Sequence, residues 1–163
     1  MDPLIDLAPG AEDNPLAVEI AARIRANVAG DAKTASDFRA LRTSVLMVAE
    51  DLAESFTLRF DHGRLTVHDG GVGIPLVTFC GSADALRRLA DFPLTRWLRL
   101  PSPGAFARDA RETWRLLLGM LVRGDLKVYG LLSHPRTVVL LLRVLSAHRA
   151  QTAPRRRPGE AQG

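Results

Sequence analysis

The stretch Ser55-Phe56-Thr57-Leu58-Arg59-Phe60-Asp61-His62-Gly63-Arg64-Leu65-Thr66-Val67-His68-Asp69 decides the fold. Phe56, Leu58 and Phe60 alternate with polar residues, and Leu65 and Val67 do the same after Asp61-His62-Gly63. A period of two places the apolar set on one face of a strand, so the two runs predict a hairpin with Gly63 at a turn position of positive φ.

Working towards the N-terminus, Ser44 to Ala49 is a continuous apolar run that predicts a buried strand. Before it, Leu16, Val18, Ile20, Ala21, Ile24 and Val28 recur at roughly helical spacing, and Asn14-Pro15 supplies an N-cap followed by proline at the first helical position. Gly30 and Asp31 interrupt that helix, and Ala32 to Leu41 predicts a second, shorter one. Residues Met1 to Asn14 combine prolines, Gly10 and acidic side chains with little periodicity, which predicts a mobile leader over 1–14.

Towards the C-terminus, a loop at Gly70, Gly71 and Gly73 leads into an expected strand from Ile74 to Cys80, with Pro75 at an edge or at the strand's first residue. Ser82 is an N-cap for a short helix carrying Ala83, Leu86, Leu89 and Ala90. Ala105 to Met120 repeats apolar residues at helical spacing, Asp125 to Tyr129 is a brief strand closed by Gly130, and Ser133 with Pro135 opens a last helix over Arg136 to His148. The order of elements reads as α+β, with the domain over 15–148 and a disordered Arg/Pro-rich tail over 149–163.

Composition restricts the function. An apolar fraction of 47% and a charged fraction of 25% over 163 residues are those of one ordinary globular domain. The net charge of +4 is modest and is concentrated in Arg149 and Arg155 to Arg157, and no basic stripe interleaves with aromatics, so nucleic acid is not the expected partner. Cys80 is the only cysteine, which leaves no intrachain disulfide, and no Cys/His spacing marks a metal site. The first residues lack the basic and apolar regions of a signal peptide, and no run reaches the length of a membrane span, so a cytoplasmic location is expected. His62, His68, His134 and His148 fall in a turn, a strand, a helix start and a helix end, without triad or ligand spacing. Asp69-Gly70-Gly71-Val72-Gly73 is followed by a strand rather than a helix, which removes a phosphate-cradling role, and Cys80 has no identifiable base. The expectation is a non-enzyme with no cofactor, no metal and no catalytic residue.

The last helix is the most informative element. Val138, Val139, Leu140, Leu141, Leu142, Val144 and Leu145 leave only Arg143 to break an apolar circumference. A helix apolar nearly all round has to be covered on most sides, by core, a partner, a membrane surface or a bound apolar molecule.

Met120-Leu121-Val122-Arg123-Gly124-Asp125-Leu126-Lys127-Val128-Tyr129-Gly130 resembles the helix end, short Leu-Lys strand and closing glycine of the sterol carrier protein 2 family. Phe60-Asp61-His62-Gly63-Arg64-Leu65-Thr66-Val67 is similar to that family's hairpin, and Pro75-Leu76-Val77-Thr78-Phe79-Cys80-Gly81-Ser82-Ala83-Asp84-Ala85-Leu86 to its next strand and helix. The resemblance runs from about Pro15 to Ala147, and the order of the motifs carries it more than any one of them. It implies a five-stranded, mainly antiparallel sheet with helices covering one face, an apolar tunnel beneath the C-terminal helix, and a sterol, fatty-acyl or phospholipid ligand. The acidic leader and the Arg-rich tail lie outside it.

On that reading the pocket walls are drawn from Phe79, Leu89, Trp97, Trp114, Leu118 and Leu121, together with Leu131, Val138, Leu141, Leu142 and Leu145. Ordinary core packing is the competing role for each. Enclosing about ten acyl methylenes at about 0.8 kcal/mol each gives about 8 kcal/mol before ordering costs, enough for micromolar binding. The partner expected is therefore a lipid or other apolar small molecule, with transient contact to a membrane surface. A competing reading makes the chain an interaction module whose last helix docks on another protein or in a homodimer, and a third makes it an accessory or catalytic subunit of lipid metabolism acting on the bound cargo. The oligomeric state is left open.

Overall fold

The computed structural model describes residues 3–90, 119, 124–130 and 133–146. Along the chain these form β1 (Leu4–Leu7), a 3-10 turn (Ala11–Asp13), α1 (Pro15–Gly30), α2 (Ala32–Ala40), β2 (Arg42–Ala49), β3 (Glu54–Asp61), β4 (Arg64–Asp69), β5 (Val77–Gly81), α3 (Ala83–Ala90), β6 (Leu126–Tyr129) and α4 (Pro135–Leu145). The helix expected over 105–120 and the tail over 149–163 lie outside the described residues, apart from Gly119.

The hairpin is present and central. β3 and β4 pair antiparallel from Phe56↔Asp69 to Asp61↔Arg64. Both turn residues adopt positive φ, 44° at His62 and 91° at Gly63, the backbone of a type I′ turn. The sheet has six strands in the order β1-β4-β3-β2-β5-β6, one more than the five expected. The sixth comes from the segment read as a mobile leader: β1 pairs parallel with β4, Ile5 opposite Leu65. Three groups fix it there, beyond the ladder itself. Ile5 is buried, Arg25 donates to the Ile5 carbonyl at 2.8 Å, and Arg64 forks onto Asp6 at 2.8 and 3.1 Å. The sheet is mixed, since β2 also pairs parallel with β5, while β2 with β3 and β5 with β6 are antiparallel.

Alternation sorts the strands into two faces. Val77, Val45, Leu58 and Val67 form one row across four strands, and Phe79, Met47 and Phe56 form the next, all buried in the core. The helices cover this face: α1 meets β1 and β4, α3 meets β2 and β5, and the ring of Phe38 in α2 stands edge-on to Phe60 with centroids 6.0 Å apart. β2 alternates buried and half-buried residues along its length, so the continuous run at 44–49 is one-faced, with Leu46 and Val48 on the side away from the helices.

The caps follow the sequence. Asn14 Oδ1 accepts from the Ala17 amide at 3.0 Å, Asp31 Oδ2 accepts from the Thr34 amide at 3.0 Å, and Ser82 Oγ accepts from the Ala85 amide at 3.1 Å. Each ties up an amide that the first helical turn leaves without a partner. Two boundaries differ from expectation. The fifth strand starts at Val77 rather than Ile74, because Pro75 has no amide to give the ladder and the first ladder-side amide is that of Leu76, donating to the Ser44 carbonyl at 2.9 Å. The last helix has His134 at the N-cap position without a side-chain cap bond, and it stops at Leu145.

Candidate functional site

α4 packs against α1, α2 and α3. Val138, Leu141, Leu142, Val144 and Leu145 are buried, and Val139 and Leu140 are half-buried, so the apolar circumference read from the sequence is covered on most sides by protein. Its C-terminal end is closed by a residue from far away in the chain. Asn27 of α1 donates through Nδ2 to the carbonyls of Val144 and Leu145 at 3.1 and 2.8 Å, two of the acceptors that a helix end leaves without partners.

Arg143, the one charge between Val138 and Leu145, is explained by α2. Its Nε lies 3.1 Å from Asp37 Oδ2, with both side chains 14% exposed. Neither atom makes an aligned hydrogen bond. The contact is therefore a close, largely desolvated charge pair, in which each partner offsets the burial cost of the other. It fixes the rotation of α4, because turning the helix would separate the two charges.

Of the expected wall residues, Phe79 (β5), Leu89 (α3), Val138, Leu141, Leu142 and Leu145 (α4) are all buried in one contiguous core. Trp97, Trp114, Leu118, Leu121 and Leu131 lie outside the described residues. The elements that carry the six are adjacent, since α3 touches both β5 and α4. This junction is an apolar, largely helical region with Asp37 and Arg143 at its α2 side, and its chemistry is burial of hydrocarbon.

The opposite face of the sheet has another character. The connection from β4 to β5 passes β3 and β2 on the side away from the helices, because Thr57, which faces that side, pins it: Thr57 Oγ1 donates to the Gly70 carbonyl at 2.8 Å and accepts from the Val72 amide at 3.0 Å. Cys80 faces the same side, half-buried and opposite Lys127. Burial pushes its thiol above the ordinary range, the Glu50 carboxylate adds to the rise, and the Lys127 ammonium opposes it. Lys127 and Glu50 are themselves paired at 2.9 Å, and that hydrogen bond, with the Glu50 charge, raises the lysine in turn. A thiol held protonated is a poor nucleophile. Among the described residues, no cluster of three or more His, Cys, Asp and Glu stands ready to hold a metal ion, and no helix is long and apolar enough to cross a membrane.

Asn27, Asp37 and Thr57 were not singled out by the sequence. Each is an ordinary polar residue in its own element, and its role comes from partners distant in the chain or across a strand. Arg143, the lone charge within the aliphatic run 138–145, was the only local signal of such a partner.

No family model matches the sequence, and no curated protein matches it. The fold does have counterparts. A solved structure described as "UbiJ-SCP2 Ubiquinone synthesis protein" superposes with a TM-score of 0.55 at 16% identity, over 82% of this chain and 95% of that one. Sterol Carrier Protein 2 from Yarrowia lipolytica, in its apo form, gives 0.43 at 14% identity, over 83% of this chain and 94% of that one. The mixed sheet with helices on one face and an apolar C-terminal helix is an SCP2-like fold.

Proposed function

We propose that the domain binds an apolar small molecule of the lipid class in the helix-covered region between β5, α3 and α4. The observation that carries this reading is α4. A helix with seven aliphatic residues between Val138 and Leu145 is the kind of wall that can exchange packing against protein for packing against hydrocarbon at little free-energy difference. The SCP2-like fold adds to it, as lipid binding is what that fold was expected to bring. Sterols, fatty acyl chains and phospholipids are the cargo classes. The description of the solved counterpart as a ubiquinone synthesis protein adds a prenylated quinone precursor to them. On this reading the chain holds and presents its ligand and catalyses nothing, with no catalytic residue, cofactor or metal assigned.

Native mass spectrometry of freshly purified protein, followed by organic extraction, tests the reading. A stoichiometric adduct that releases a lipid on extraction supports it and names the cargo class. A clean apo mass, unchanged after incubation with a fatty acid, a sterol, a phospholipid and a prenylated quinone, overturns it.

A further inference from the structure

The seven residues Gly70-Gly71-Val72-Gly73-Ile74-Pro75-Leu76 contain no charged or hydrogen-bonding side chain. Their ends are held tightly. The Gly70 amide donates to the Ser55 carbonyl at 2.9 Å, Thr57 clamps Gly70 and Val72, and the Leu76 amide donates to the Ser44 carbonyl. Between those fixed points the chain rises over Gly73, with φ at 73°, and Pro75, and at its tip Ile74 is 93% exposed. Val72 and Leu76 are exposed beside it. Tyr129 extends the patch: it is 58% exposed and pairs with Thr78 on β5, and Gly130 lies so close to the Leu76 carbonyl that no side chain would fit between.

An isoleucine almost wholly in water, on a backbone fixed by hydrogen bonds at both ends of the loop, is a preformed apolar tip. The charges around it give it a direction. On the same face Asp6 and Glu50 are taken up by Arg64 and Lys127. Of the three strand residues on that face whose charge makes no ion pair among the described residues, Arg42 and Arg59 are cationic and Asp61 is anionic. A protein groove selects its ligand partly through side-chain hydrogen bonds, and this tip has none to offer. A bilayer interface asks only for apolar bulk, an amphipathic ring at headgroup depth and a cationic surround.

We infer that this face of the sheet docks on a phospholipid surface, with Ile74 inserted between headgroups, Tyr129 at the interface and Arg42 and Arg59 above the phosphates. The helix layer then points away from the bilayer. Docking goes beyond the cargo reading and does not require it, because the two surfaces lie on opposite faces of the sheet.

Co-sedimentation of the full chain with vesicles of phosphatidylcholine containing phosphatidylglycerol tests the inference. The wild-type protein is expected in the pellet. Ile74→Asp is expected to lower the partition coefficient by about tenfold or more, and Arg59→Gln by about fivefold. Ile74→Ser serves as the second variant, and thermal unfolding of each confirms an intact fold. Wild-type protein that stays in the supernatant overturns the inference, as does Ile74→Asp that pellets like wild type. Sedimentation velocity without vesicles adds a third arm: a wild-type dimer that Ile74→Asp turns into monomer assigns the patch to a second copy of the chain and overturns the lipid reading.

Discussion

Phe79 and Cys80 are neighbours in β5 and belong to different environments. Phe79, 1% exposed, stands in the row with Met47 and Phe56 under the helices. Cys80 points to the other face, half-buried, with Lys127 across the ladder. One sheet separates a buried apolar layer from a face of mixed charges crossed by one apolar loop. The first is held by burial, which is non-directional and adds up over many contacts. The second is held by a small number of directional bonds, above all those of Thr57, so single substitutions there act through named hydrogen bonds rather than through volume.

Phe79→Ala removes a buried ring from the centre of the core and is expected to destabilise the fold by about 3–5 kcal/mol, whereas Ile74→Ala, on the exposed tip, is expected to change stability by less than about 0.5 kcal/mol. Chemical denaturation of the two variants checks both. Similar losses at the two positions would mean that the loop packs against something and is not a free tip.

Thr57→Val keeps the shape of a buried side chain and removes the hydroxyl that serves the Gly70 carbonyl and the Val72 amide. The expected loss is about 1–3 kcal/mol. Proteolysis under native conditions reads where the loss falls: cleavage within Gly70 to Leu76 should appear before cleavage in the sheet. Loss of stability without local cleavage would mean that the bonds serve the sheet as a whole.

How much of this was legible depended on the range of the forces involved. The hairpin at 55–69, α1 behind Asn14-Pro15 and α3 behind Ser82 are written in local pattern and capping chemistry, and the structure contains them. β1 was not legible. The four residues Leu4–Leu7, with Asp6 among them, show no period, and their place is set by a parallel partner some sixty residues away. The crossover was missed for a related reason: β4 and β5 are consecutive in sequence, and only the sheet order shows that β3 and β2 lie between them. In the candidate site, the apolar residues of α4 could be listed from composition alone, but Asn27 and Asp37, which close its end and fix its rotation, look like surface residues until the helices are brought together.

The smallest effect lies at Cys80 and isolates electrostatics from packing. With its pKa raised by burial and by Glu50, the thiol should react with iodoacetamide near neutral pH more slowly than a free cysteine, since only the thiolate attacks. The sign of each neighbour can then be read separately. Glu50→Gln removes the carboxylate and frees Lys127 from its pair, so both changes favour the thiolate and alkylation should quicken. Lys127→Met removes the opposing ammonium and should slow it. Rates followed by mass spectrometry against pH give the direction without any change in the core, because the three groups all stand on the face away from the helices. If both variants quicken the reaction, the two charges are not acting as charges: the broken pair has instead loosened β6 from β5 and exposed the thiol, and the stability of this face then rests on that ion pair as well as on Thr57.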